Sequence, residues 1–335
     1  MPEFGFPAQP RNATLSSLIA NLRSRSDDAR VASVSGRFAD VTAERNGRVN
    51  ELMQIEKSLN DFRTYSEIIA LTEVRTTTIQ ASLSKLTGEA QSLADTVDVL
   101  RTNGTAKNFS VVSADAVGAL DSVIAALNAD VAGRRLFGGD ETGTAPLVDG
   151  ETIRTASVPT LEAGASAASS YTDLRIEFFA AGGLFDTTFY QGGAGDAPVT
   201  EVAPGERVEY GVKADDAAVR EVLFNITVLS ASHDLGNAIP SEAREELAAL
   251  ASAGLRSAVS ELANVQGRVG TAEARVATAK ARNIASEASL TISFNELAGA
   301  DQFEAALTLT ELDNQLETAF LTTSRLTNLS LANFL

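Results

Sequence analysis

Apolar residues recur at spacings of three and four towards both ends of this chain, but not through its middle. Leu15, Leu18 and Leu22 open one stripe, which weakens through Ala29 and Ala32 to Val34. Such spacing lines one face of a helix. Gly36 and Gly47 bracket the polar stretch GRFADVTAERNG, which reads as a linker. A long helix is then expected from Val49 to Arg101. Leu52, Ile55, Leu59 and Phe62 begin it, an irregular patch follows, and Ile79, Leu83, Leu86, Ala90, Leu93, Val97 and Leu100 continue without a fault. Sustained alternation of three and four marks a coiled-coil seam, because about 3.5 residues per turn keeps those positions on one partner. At about 1.5 Å per residue such a helix is about 80 Å long. A shorter alanine-rich helix is expected over 114–132.

The pattern changes at Gly133, where glycine pairs and turn residues appear in GRRLFGGDETGTAP. Period-two alternation follows in LRIEFFA, DTTFYQ and PVTEVAPGERVEYGV, with Pro204-Gly205 as a hairpin turn, so this part reads as a β-rich insert. Helix returns at Asp215, whose carboxylate can cap the next segment. A second long helix begins after Pro240, with Ser241 as N-cap, and presents Leu247, Leu250, Leu255, Val259, Leu262, Val269 and Val276. The last helix starts near Gln302. Leu309, Leu312, Leu316, Ala319, Thr323 and Leu326 form its seam, and Phe303, Leu307, Phe320 and Leu321 lie on other faces. A helix apolar on more than one face needs several neighbours. Because the first stripe turns polar or small from Arg25, its pairing with the last helix is expected to be weak.

The predicted fold is mainly α: an elongated antiparallel coiled-coil helical bundle built from N- and C-terminal segments, with a small β-rich central insert. Three regions are expected. Residues 1–47 with 296–335 form a terminal-helix polymerisation region, 48–145 with 206–295 a long-helix core rod, and 146–205 the exposed insert.

Charge and composition narrow the chemistry. The 335 residues carry 44 acidic and 27 basic side chains, a formal charge of −17, which disfavours nucleic acid and anionic lipid as partners. No cysteine is present, so disulfides, thiolate metal sites and cysteine nucleophiles are excluded. The opening residues lack the pattern of a secretory signal peptide, and no apolar run reaches the roughly 18 residues of a membrane span. His233, the one histidine, sits beside Asp234 at a helix end and suits a helix C-terminus better than a catalytic dyad. Asp27-Asp28 and Asp215-Asp216 lack the alternating oxygen ligands of a calcium loop. GLFDTTFYQGGAG and LFGGDETG match neither phosphate-binding fingerprint. No catalytic, cofactor or metal residue is expected, and the chain does not read as an enzyme.

One helical stretch stands apart. LANVQGRVGTAEARVATAKARN places Gly267 and Gly270 in mid-helix, where glycine costs roughly 1 kcal/mol relative to alanine. Close packing against another backbone, aided by Ala263, Ala274 and Ala277, is the favoured explanation; a local bend is the alternative.

Gly270-Thr271-Ala272-Glu273-Ala274-Arg275 is similar to the G-A-x-x-x-R segment on the second long core helix of the flagellin superfamily. Leu136, Phe137, Gly138 and Gly139 resemble that family's glycine-rich turn, and the closing LSLANFL resembles the ending of its hook–filament junction branch. SVSGRFADVTAERNG keeps Ser35-Gly36-Arg37 and little else of the filament pattern, while LMQIEKSLNDFRTY is closer to the junction branch. The likeness covers about 1–145 and 200–335. It implies a structural subunit secreted through the flagellar type III export route to the bacterial flagellum, outside the cell. Its terminal helices would pair in the core of a tube. The implied partners are copies of itself, a hook-side junction protein, flagellin, and an export chaperone on the C-terminal helix. On this reading Leu15, Leu18, Leu22, Leu312, Leu316, Phe320, Leu326 and Phe334 form the assembly interface. A filament subunit, or a secreted coiled-coil adhesin whose insert binds a ligand, are the alternatives.

Overall fold

A computed structural model describes residues 9–39, 49–103, 109–236 and 238–332, with side chains between Thr14 and Arg325. Most of the stretch expected as a linker, 40–48, lies outside the described residues. The helices are α1 (Gln9–Ser35), α2 (Val49–Thr102), α3 (Phe109–Leu127), α4 (Gly150–Ala163), α5 (Ala167–Phe179), α6 (Ala217–Leu235), α7 (Ser241–Ala298) and α8 (Gln302–Ala332). Two antiparallel hairpins accompany them: β1 (Asp130–Val131) with β2 (Arg134–Arg135), and β3 (Val199–Ala203) with β4 (Glu206–Glu209). The chain is mainly helical, with long helices packed together and a small β component. It divides into two compact units, Met1–Thr64 with Ile284–Leu335, and Tyr65–Asn283.

In the larger unit α2 and α7 run antiparallel. Ser252 Oγ donates to Ala94 O at 3.3 Å, Gln80 Nε2 to Gln266 O at 2.9 Å, and Asn283 Nδ2 to Ser66 Oγ at 2.7 Å, so one helix's numbers fall as the other's rise. Ile69, Thr72, Thr76, Ile79, Leu83, Leu86, Ala90, Leu93 and Val97 are all buried on α2. The alternation therefore does not break before Ile79. The irregular patch arose because threonines hold two seam positions. On α7 the buried row is Leu255, Ala258, Leu262, Val265, Val269, Ala272, Val276, Ala279 and Asn283.

Helix α6 is buried nearly all round, from Val219 to Ala231, and packs with α3 and α4. Its cap is Asp216, one residue after the expected Asp215: the Asp216 carboxylate accepts from Ala218 N, while Asp215 pairs with Lys213 at 3.1 Å. Helix α3 lies five residues earlier than expected, because the chain turns into β1–β2. That turn holds Ala132 and Gly133 at φ 54° and 74°, the left-handed pair of a tight hairpin. By length and composition α3 could cross a bilayer, which corrects the reading that no such stretch occurs. Here its apolar stripe of Val112, Ala116, Leu120, Val123 and Leu127 is buried, and the helix packs on α6.

The insert differs most from expectation. PVTEVAPGERVEYGV does form a hairpin, with Gly205 at φ 73° in its turn. LRIEFFA instead lies in α5, and DTTFYQ contributes to a π-helical turn at Phe185–Phe189. Leu174 and Phe178 are four apart and both fully buried, a helical spacing that also fits alternation in so short a window. Nor does the insert stand apart. Phe178, Phe185 and Phe189 join Phe224 of α6 in an aromatic cluster within the core shared with α2, α3 and α7.

Candidate assembly interface

The smaller unit is organised around the pairing of α1 with α8. Leu22, Ala29 and Leu312 are buried between them, with Leu309, Leu316 and Ala319 packed alongside. Ser26 Oγ donates to Asp313 Oδ1 at 2.9 Å, a polar tie at the seam position between Leu22 and Ala29. The expected weakness beyond Arg25 is thus partly offset by a hydrogen bond that apolar counting could not register. Ser26 and Asp313 are the residues the pattern missed. A small polar residue four after Leu22 was the available signal.

The retained Ser35-Gly36-Arg37 marks the end of α1. Gly36 takes φ 68° and its N–H donates to Ala32 O at 2.9 Å, a left-handed helix stop that suits glycine. Ala300 N then donates to Gly36 O at 2.9 Å and Phe38 N to Ala298 O at 3.1 Å, which ties this stop to the α7–α8 turn. Arg37 donates to Asn295 Oδ1 at 3.3 Å and lies 5.4 Å from the centre of the Phe294 ring. Asp301 caps α8 by accepting from Phe303 N at 2.9 Å.

The expected interface residues fall into three groups. Leu22 and Leu312 are buried inside the pair, and Leu15 and Leu316 are half-buried. Leu18 is 54% exposed and Phe320 44%, with Arg23 5.1 Å over the Phe320 ring. Leu326 belongs to α8, but its side chain, like all of Phe334, lies outside the described residues. A groove of about 570 Å³ lies along Leu15, Leu18, Leu22, Ala319 and Thr322. On α8 Phe303, Leu307 and Leu321 remain 74%, 58% and 57% exposed. Phe303 and Leu312 are nine residues apart, about two and a half turns, so they occupy opposite sides. Helix α8 therefore has one apolar side covered within the chain and another that is not.

The glycine pair is not a point of close packing within the chain. A Cβ added to Gly267 would meet nothing within 4 Å, and one at Gly270 would meet only Gln80 Nε2, at 3.7 Å. Elsewhere on the same helix Gly254 does admit a neighbour: a Cβ there would overlap the Asn225 side chain of α6. The arginines beside the pair have separate tasks: Arg268 lies 3.0 Å from Asp216, and Arg275 donates to Arg207 O at 2.9 Å.

Several residues with candidate chemistry are engaged in structure. Asp234 pairs with Arg154 rather than activating His233. Asp27 lies 3.4 Å from Arg30. The two glycine-rich stretches meet each other: Gly193 N donates to Gly138 O at 2.9 Å, and Gly195 N to Asp140 Oδ1 at 3.0 Å. The Asp140 carboxylate lies against Gly193 and Gly195. Burial raises the Tyr171 and Tyr190 phenols above their ordinary value, so both serve as neutral donors, to Asn225 Oδ1 and Gly193 O. Among the described residues no cluster of His, Asp and Glu could hold a metal ion.

No family model and no curated protein matches the chain. Among solved structures it is similar to a Vibrio parahaemolyticus chain provisionally assigned as a flagellar hook-associated protein, with a TM-score of 0.40 and 16% identity over 71% of this chain and 95% of that one. It is also similar to FlgL of Bacillus cereus, with a TM-score of 0.36 and 15% identity over 71% of this chain and 93% of that one.

Proposed function

We propose that the chain is a structural subunit of the bacterial flagellum that joins hook to filament and assembles helically through its terminal helices. The observation that carries this reading is the uncovered apolar side of α8, Phe303, Leu307 and Leu321, together with a separate groove along Leu15, Leu18 and Leu22. Large apolar side chains left uncovered on one side of a helix point to contact with other proteins. Subunits that meet through unlike surfaces and do not close a ring extend as a helix. The motif order from Leu136-Phe137 through Gly270–Arg275 to LSLANFL supports the same family reading, and the Gly36 helix stop gives the retained Ser35-Gly36-Arg37 a structural task.

On this reading the work is mechanical rather than catalytic. The neighbours are further copies, a hook-side junction protein and flagellin, and α8 meets an export chaperone before assembly. The chain leaves the cell through the type III route. The test is complementation of a strain deleted for the gene with wild type or with the pair Phe303→Asp and Leu307→Asp. Both substituted positions are exposed, so the purified variant should match wild type in circular dichroism and melting, yet fail to restore attached filaments and swimming. Normal swimming by the variant would remove this surface from assembly. In the deletion strain, filaments shed from intact hooks mark a junction subunit, and absence of filament protein marks a filament subunit. Undisturbed flagella would favour the adhesin reading.

A further inference from the structure

The α2–α7 seam changes character over one stretch. From Ile79 to Val97 its α2 positions are Ile, Leu, Ala and Val, but Thr72 and Thr76 hold the two before them, each buried. Around them α7 offers Ala272, Val276, Ala279 and Asn283. Neither threonine hydroxyl crosses the seam: Thr72 Oγ1 donates to Ile68 O at 2.7 Å and Thr76 Oγ1 to Glu73 O at 3.1 Å, both within α2. Such back-bonding slightly destabilises a helix. Small and polar seam residues also bury less apolar area than the leucine layers beyond Ile79. In apolar burial this section of the helix pair is the weak one, and its direct ties are polar: Lys280 with Glu73 at 2.7 Å and Asn283 with Ser66 at 2.7 Å.

The β3–β4 hairpin is tied across that same section. Arg268, Arg275 and Arg282 stand seven apart on α7, about two turns each, and so form one row. Arg282 lies 2.5 Å from Glu206, Arg275 donates to Arg207 O at 2.9 Å, and Arg268 holds Asp216 just beyond the hairpin. From α2, Arg75 reaches Tyr210 OH at 3.5 Å. Val202, Val208 and Tyr210 are buried with the core.

We propose that the hairpin is a strap that holds the 66–76 and 272–283 section of the helix pair closed, and that the pair opens there first when the arginine ties are lost or screened. Arg268 and Arg282 are largely exposed, so salt weakens their pairs while the leucine-rich seam is untouched. Segment-resolved hydrogen exchange on the full chain tests this. With Arg275→Gln and Arg282→Gln together, protection of 66–76 and 272–283 should fall about tenfold, and that of 83–97 and 255–265 should hold. Adding Thr72→Val and Thr76→Val should restore it. Wild type brought to about 1 M salt should show the same local loss. At low salt Lys280→Gln, which breaks the direct Lys280–Glu73 pair at 2.7 Å but leaves the hairpin tied, should show less of it than the arginine double variant. Equal protection along α2 in wild type at every salt concentration, or a loss spread evenly over the unit, overturns the proposal.

Discussion

Asn225 is fully buried and fully used. Its Nδ2 donates to Glu221 O at 2.7 Å, and its Oδ1 accepts from Tyr171. Gly254 leaves the space that its side chain fills. Gly254→Val should therefore destabilise the chain by about 1–3 kcal/mol through overpacking. Gly267→Ala, into open space on a helix, should stabilise it by up to about 1 kcal/mol. Urea unfolding of both variants checks the contrast, and equal midpoints would remove it. Thr227 is the converse of Asn225: fully buried, with a hydroxyl that finds no partner. Thr227→Val keeps the shape and removes the orphan group, so it should raise stability by about 1 kcal/mol in the same measurement. At this scale the sequence misleads in a definite way. Two glycines three apart draw the eye. Within the chain it is the single Gly254 that admits another side chain, and its meaning depends on a residue of another helix, about thirty positions away.

At the scale of elements, long helices were legible and the short ones were not. Val49–Thr102 and Ser241–Ala298 repeat their spacing over so many turns that a polar seam position cannot erase the pattern. Helices α4 and α5 offer at most four turns each, with Pro159 inside the first, and period two fits them almost as well as 3.6. The core role of α5 and of the π-helical turn was hidden too, because it rests on phenylalanines that meet only after folding. Replacing 146–205 with a short linker should therefore abolish the larger unit's cooperative melting, since Phe178, Phe185 and Phe189 leave the cluster around Phe224. Calorimetry would decide it. A transition unchanged in sharpness would show that α6 keeps its core without them.

In the whole molecule, the two units have cores of very different size. The larger unit buries more than ten large apolar side chains at almost no exposure, while Leu22, Ala29 and Leu312 are the buried centre of the smaller one. Apolar burial scales with area, so the smaller unit should lose its α1–α8 protection to hydrogen exchange well below the temperature at which the larger melts. Simultaneous loss would contradict this. The terminal surface was legible as apolar stripes; which side faces inward was not, because a stripe does not name its partner. The same pairing has a consequence for the order of synthesis. Ser26 and its partner Asp313 are 287 residues apart, so α1 leaves the ribosome long before the helix that covers it exists. Loop closure over that span comes last. Every shorter chain, whether nascent or cut off by a premature stop codon before α8, carries Leu22 and Ala29 bare.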